Sequence, residues 1–185
     1  MISQEYKDTI VQMHKKENWG SSGKSWVDTL EPILSKFTPK TILDFGCGQG
    51  TLKQELIKRG KYKGFVTEYD PGIPGKDKVP EGIFDMVVCT DVLEHIEPAY
   101  VQSVLQQIIS YKPETVFFVI ATRPAKAILP DGRNAHLIIE KPKWWCTELD
   151  DYFTSYEVEY IEGDIWPPVD HAKRMVVCFH KKRQS

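Results

Sequence analysis

Short β-prone runs alternate with stretches of helical period along most of this chain, and that alternation constrains the fold more than any other feature of the sequence. Strands joined by crossover helices pair in parallel, so the pattern predicts an α/β domain with a mostly parallel sheet. The first run, Thr41 to Phe45, ends in the cluster Gly46-Cys47-Gly48-Gln49-Gly50. A helix over 51–59 follows, with Leu52, Leu56 and Ile57 on one side and Gly60 where a helix stops. Residues 65–69 make a second strand, broken by Asp70-Pro71-Gly72, and 84–90 form a third apolar run. Val101, Val104, Leu105, Ile108 and Ile109 then recur at the spacing of a core-facing helix, with Pro98 in its first turn. Residues 115–121 (TVFFVIA) are the most β-prone segment and read as a buried central strand. A long connection over 122–143, a short helix over 147–153 and two closing strands over 156–162 and 174–180 follow. A loop carrying Trp166-Pro167-Pro168 joins the closing strands, and 181–185 reads as a frayed tail. Two helices over 4–14 and 25–37 precede the first strand.

Composition narrows the partners. At 185 residues and 41% hydrophobic, the chain can bury one core without disulfides or a structural metal. Its 24 Lys+Arg against 26 Asp+Glu leave a net charge of -2, which argues against a protein that coats nucleic acid or anionic membrane. No run of 18 apolar residues is present and the start is polar, so a cytoplasmic protein without a membrane span is expected. Cys47, Cys89, Cys146 and Cys178 form no CxxC pair and read as small core residues in a reducing compartment. No metal site is expected from this spacing.

The strand that runs into Asp44-Phe45-Gly46-Cys47-Gly48-Gln49-Gly50 and then a helix is a ligand cradle, because glycines let backbone approach a ligand at the carboxyl end of a sheet. Asp70, about 20 positions on, can accept hydrogen bonds from both hydroxyls of a ribose. The dinucleotide fingerprint G-x-G-x-x-G is not met, since the third glycine comes one residue early. Asp44, two residues before the first glycine, would repel a pyrophosphate but could accept a bond from an amino group. The ligand therefore reads as a nucleoside carrying an amino acid.

Three blocks, Leu43 to Gly50, Tyr69-Asp70-Pro71 and Phe84 to Ile96, resemble the class I S-adenosylmethionine-dependent methyltransferases. The resemblance runs from about Thr38 to the C-terminus and implies a Rossmann-like sheet with an antiparallel last strand. It implies S-adenosyl-L-methionine as cofactor and S-adenosyl-L-homocysteine as product. It places Asp44, Gly46, Cys47, Gly48 and Gly50 at the methionine moiety, Asp70 and Pro71 at the ribose, and Thr90 and Asp91 at the cofactor's edge. One departure stands out: only the 13 residues 71–83 separate Asp70 from Phe84, too few for the usual third strand and its helix. A shortened, more open adenine side is expected there, with Asp77 and Ile73 the only adenine candidates. The expected organisation is a single domain over 1–185, with residues 1–37 a helical lid and 38–185 the catalytic core.

Other residues divide between structural and functional readings. Gly20-Ser21-Ser22-Gly23-Lys24-Ser25 fails as a phosphate loop, because the first glycine would fall at Asn18 and no strand precedes it. It reads as a hinge with a serine cap, or as a loop that offers Lys24 to an anionic substrate. Asp85 reads as structural. The segment after the central strand gathers Arg123, Lys126, Arg133, Lys141 and Lys143 at the sheet edge where substrate approaches. Within it His136 is the candidate general base and Asn134 could orient the substrate, while His95 and Arg123 complete the substrate-side set with Lys24 and Arg133. Trp144 and Trp145 read as core-closing aromatics. No Asp/Asn-Pro-Pro-aromatic motif follows the 84–90 run and no Pro-Cys occurs, which disfavours the amino-methylating and cytosine C5 DNA enzymes. The primary expectation is a methyltransferase acting on O or N of a small, polar, anionic acceptor. RNA or DNA methylation and a non-catalytic cofactor-binding protein are the alternatives.

Overall fold

The computed structural model describes residues 2–16, 19–161 and 172–182. The chain runs α1 (Gln4–Met13), a 3-10 turn (Ser22–Trp26), α2 (Val27–Phe37), β1 (Thr41–Phe45), α3 (Thr51–Lys58), β2 (Phe65–Tyr69) and β3 (Met86–Thr90). Two further 3-10 turns (Leu93–His95 and Pro98–Tyr100) lead into α4 (Val101–Ser110), then β4 (Thr115–Ala121), α5 (Pro142–Asp150), β5 (Tyr156–Ile161) and β6 (Arg174–Lys181). The strands form one sheet in the order β2-β1-β3-β4-β6-β5. The first four positions pair in parallel, and β6 runs antiparallel to both β4 and β5. This is the mixed, mostly parallel sheet expected from the alternation.

Every residue of β3 and β4 is buried, which is why both are continuous apolar runs: each face of the sheet carries its own helical layer. Successive residues take opposite faces. Phe118 packs with Val101, Leu105, Ile108, Trp145 and Leu149 from α4 and α5. Phe117 packs with Val27, Leu30 and Leu34 of α2 and with Leu52 and Leu56 of α3. Helix α2 is therefore one layer of the sandwich and packs on the sheet rather than over the carboxyl edge. Tyr6 and Met13 of α1 pack instead on Leu129 and Ala135 of the connection between β4 and α5, above the carboxyl edge of the sheet.

Several sequence expectations shift. Ile57, expected on the buried side of α3, is 62% exposed, because Leu52 and Leu56 alone fill that side. Helix α5 begins at Pro142, five residues earlier than expected, with a proline at its start where no amide is needed. Helix α2 has Trp26 rather than a serine at its cap. Lys181 belongs to β6 and not to a frayed tail. Trp145 is fully buried, as a core-closing aromatic should be, and Asp85 Oδ2 accepts bonds from the Lys40 and Thr41 amides. Asn18, the Trp166-Pro167-Pro168 loop and the last three residues lie outside the described residues.

Between β2 and β3 the chain makes only turns, so the sheet has no third strand of the usual kind and β2 is its edge. The edge shows in β2 itself, where Phe65 is 80% exposed. No helix among the described residues is long and apolar enough to cross a membrane. The asymmetry between centre and edge is testable by urea unfolding. Phe117→Ala should cost about 3–5 kcal/mol by opening a cavity against α2 and α3. Phe65→Ala should cost less than about 0.5 kcal/mol.

Candidate active site

A cavity of about 590 Å³ opens along the carboxyl edge of β1, β3 and β4. Its floor at one end is the glycine loop. The amides of Gly46 and Cys47 donate to the Tyr69 carbonyl at 2.7 and 3.0 Å, which ties the loop to the end of β2. The Gly48 amide donates to Asp70 Oδ2 at 2.9 Å, and the Gly72 amide to Asp70 Oδ1 at 2.8 Å. Gly48 has φ +52, and a Cβ there would lie 2.2 Å from the Gly20 carbonyl oxygen. Only glycine fits, because the loop before α2 lies directly on it.

Two carboxylates face this end. Asp44 is buried, its Oδ2 has no hydrogen-bond partner, and burial, with Glu68 nearby, pushes its pKa up to about 7. An orphaned buried carboxylate oxygen lining a cavity is costly unless a ligand donor meets it. Asp70 is also buried and keeps lone pairs beyond the two amide bonds. His14, at the end of α1, places Nε2 3.4 Å from Asp70 Oδ1, so the N-terminal helix reaches the same carboxylate. These features fit a nucleoside with an amino-acid arm: an unmet acceptor for an ammonium, bare backbone for the chain, and an acid for ribose hydroxyls.

The far end is built by the segments after β3 and β4. Asp91 adopts φ +54, strained for a non-glycine residue, and its Oδ2 accepts from Trp26 Nε1 at 2.9 Å. His95 Nδ1 donates to the Ala135 carbonyl at 2.7 Å and His136 Nδ1 to the Arg123 carbonyl at 2.6 Å. Their rings meet edge to face with centroids 4.8 Å apart. Burial, helped by His136 and His14, drives the His95 pKa down to about 4, and burial also lowers that of His136. Both rings are therefore neutral near pH 7. Lys24, Arg123 and Lys126 line the same cavity; the Arg123 carbonyl accepts from His136, while the Lys24 amide donates to Thr51 Oγ1 just after the glycine loop.

Most residues expected at the site meet here. Asp44, Gly46, Cys47, Gly48, Asp70, Pro71, Thr90 and Asp91 line the cavity, as do Lys24, His95, Arg123 and His136. Gly50, Asn134 and Arg133 do not. Gly50 caps α3 with φ +76, facing Glu68. Asn134 accepts from the Ala125 and His136 amides and donates to the Ala125 carbonyl, so its polar atoms clamp the loop rather than orient a substrate. Arg133 is held by Asp131 at 2.6 Å in a separate depression. Asp77 pairs with Lys7 at the surface, and neither it nor Ile73 lines the cavity, in keeping with an open adenine side.

The sequence reading missed three residues. His14 and Trp19 come from the N-terminal segment, outside every motif. Glu94 is fully buried behind His95: Oε1 accepts from the Ala121 amide at 2.9 Å, Oε2 is unpartnered, and burial raises its pKa to about 8. Against the expectation of no metal cluster, the fold brings donor atoms of Glu94, His95 and His136 within 4.8 Å of one another. Only the adjacent Glu94-His95 pair gave any hint of it.

The comparisons with known proteins agree with this geometry. The sequence profile of a family described as "Methyltransferase domain" matches residues 20–163. No curated protein matches the sequence. Among solved structures, the 1,6-didemethyltoxoflavin-N1-methyltransferase of Burkholderia thailandensis, with S-adenosylhomocysteine bound, superposes with a TM-score of 0.60 at 14% identity. That match covers 99% of this chain and 92% of the other. Magnesium protoporphyrin IX methyltransferase from Synechocystis PCC 6803, with S-adenosylmethionine bound, gives 0.59 at 15% identity over 90% and 86% of the two chains. The small RNA methyltransferase HEN1 gives 0.61 at 13% identity over 88% of this chain, which spans 25% of that protein's length. The glycine loop, the two carboxylates beside it, the sheet order and the family match together make this chain a member of the class I S-adenosylmethionine-dependent methyltransferases.

Proposed function

We propose that this methyltransferase modifies O or N of a small, polar, anionic acceptor held at the His95–His136 end of the cavity. The observation that carries the reading is the continuity of one cavity from the glycine loop to His95 and His136, with Lys24, Arg123 and Lys126 in its lining. S-adenosylmethionine supplies an activated methyl group on sulfur. Asp44 would take the ammonium of its amino-acid arm, the Gly46–Gly48 backbone would line that arm, Asp70 and Pro71 would receive the ribose, and Thr90 and Asp91 would face the cofactor. Alignment and exclusion of water are the chain's main contributions to such a displacement. Helix α1 and the loop through Trp19 act as the lid, since they wall the cavity from the side opposite the sheet.

His136 is the base for an acceptor hydroxyl or amine. Its Nδ1 proton is committed to the Arg123 carbonyl, which leaves the Nε2 lone pair to take a proton. The four cysteines, all buried and none in a disulfide, support a reducing, cytoplasmic setting.

Three measurements test this reading. Asp44→Asn should weaken S-adenosylmethionine binding about 10- to 100-fold in calorimetry, the effect of losing a hydrogen bond to a charged group. The same group sets a pH dependence. With a folded pKa near 7, Asp44 must lose a proton to meet the ammonium, so wild-type affinity should rise from pH 5.5 to 7 with proton release. Stability of the cofactor-free protein moves the other way. The folded state holds this proton through the window from 3.8 to about 7 in which the unfolded chain has released it, so stability falls as pH rises. Asp44→Asn should flatten both trends, and unchanged slopes would reject the assignment.

With an acceptor in hand, His136→Ala should lower turnover about 10²- to 10⁴-fold while cofactor affinity stays within about twofold. The acceptor class is read from salt. KM for a small anion should change less than about threefold between 50 and 200 mM salt, whereas a polynucleotide should lose about 10³-fold or more. A steep loss would favour RNA or DNA. Cofactor binding with no methyl transfer to any component of a metabolite or RNA extract would favour the non-catalytic reading.

A further inference from the structure

The three side chains that converge behind the acceptor end are not explained by loop packing. His95 and His136 both donate Nδ1–H to backbone carbonyls, at 2.7 and 2.6 Å. A carbonyl oxygen only accepts, so the proton of each neutral ring sits on Nδ1 and each Nε2 carries a bare lone pair. That is the arrangement in which metal-ligating imidazoles are held: the second nitrogen fixes the tautomer and the ring's orientation through a backbone acceptor. Loop pinning accounts for the Nδ1 atoms and leaves both Nε2 lone pairs available to a ligand.

Glu94 supplies an independent observation. Its carboxyl is fully buried and Oε1 caps the Ala121 amide at the end of β4, yet Oε2 is buried with no partner. A buried unmet carboxylate oxygen is costly, and a cation beside it removes that cost. One donor atom from each of the three residues lies within 4.8 Å of the others, and this is the single such group of three among the described residues. An ion with bonds of about 2.1 Å takes donors about 3–4 Å apart, so the 4.8 Å limit on these separations exceeds what a loaded site requires by about an ångström.

We propose that Glu94, His95 and His136 form a binding site for one divalent transition-metal ion, with coordination positions open to the cavity for an oxygen of the acceptor. Two imidazoles and one carboxylate suit Zn²⁺ or Mn²⁺ better than Mg²⁺ or Ca²⁺, which prefer oxygen alone. His95 and His136 line the cavity while Glu94 lies behind them, so the protein ligands occupy one side of the ion and the acceptor side stays free. The inference rests on the reading that this end receives the acceptor, and it deepens it. An acceptor that completes a coordination shell bears a hydroxyl, carboxylate or phosphate oxygen near the methylated position. In the ion-loaded protein the Nε2 lone pair of His136 is coordinated, and His136 then positions the acceptor through the ion. The base role described above belongs to the ion-free protein.

The test is direct binding, independent of methyl transfer. Tag-free protein is stripped with chelator, then titrated separately with Zn²⁺ by calorimetry and with Mn²⁺ by electron paramagnetic resonance. Wild type should bind one ion per chain. Glu94→Gln, which keeps an oxygen for the Ala121 amide, and His136→Ala should each weaken binding at least about tenfold, with S-adenosylhomocysteine affinity within about twofold as the folding control. No stoichiometric ion, or an ion bound equally by both variants and therefore adventitious, would overturn the proposal. The two readings fail separately. Ion binding with no acceptor ever methylated would count against the transfer reading alone. Full turnover in stripped protein, unaltered by added Zn²⁺ or Mn²⁺, would reject the site's part in acceptor binding.

Discussion

The Gly48 amide reaches Asp70 Oδ2 at 2.9 Å, while the amides of Gly46 and Cys47 reach the carbonyl of the preceding Tyr69. This small set of bonds closes the loop after β1 against the end of β2, and the rest of the site inherits its shape. Because the loop is held from the β2 side, its bare backbone turns toward the cavity. Because Gly48 has no side chain, the Gly20 segment settles on it, with the Gln49 amide donating to the Gly20 carbonyl at 2.8 Å. The N-terminal segment is thus fastened over the cavity by the same loop that forms its floor. Asp70 braces the loop through its bonds to the Gly48 and Gly72 amides and lines the cavity as well.

A second constraint is electrostatic. The chain's net charge of -2 conceals a cavity lined by both signs: Asp44 and Asp70 lie at the glycine-loop end, and Lys24, Arg123 and Lys126 belong to the same lining. Burial works on both ends. It holds the Asp44 carboxyl near the point of ionisation and the His95 ring neutral, so the free protein avoids uncompensated buried charge and each group is poised for a partner. The missing third strand leaves β2 as an edge of the sheet, and His14, at the end of α1, reaches Asp70 just beyond that strand.

What was legible in the sequence follows the range over which each signal acts. Strand bounds at Thr41–Phe45, Phe65–Tyr69 and Thr115–Ala121 coincide with the structure: burial on both faces writes Thr115–Ala121 as a continuous apolar run, whereas the exposed edge strand Phe65–Tyr69 is marked by its β-prone residues and by the Asp70-Pro71-Gly72 break after it. The cofactor cradle was legible because glycines and acids at fixed spacing stand within one strand-loop-helix unit and the next strand. Asn134 and Arg133 lie outside the cavity lining, since a loop's direction depends on its own hydrogen bonds, here to Ala125 and Asp131, which spacing does not show. Glu94 was passed over as an ordinary charge beside a histidine. Its meaning lies in the fold, which sets it against the end of β4 and close to His136, 42 positions away.

The central claim is that one cavity holds the cofactor by the glycine loop and presents its methyl to the His95–His136 end. A crystal structure of the protein soaked with S-adenosylhomocysteine tests it most directly. The account predicts the ammonium against Asp44, the ribose hydroxyls at Asp70, and the sulfur directed toward His95 and His136. Ligand density with the amino-acid arm away from Asp44, or with the sulfur turned from the two histidines, would contradict it.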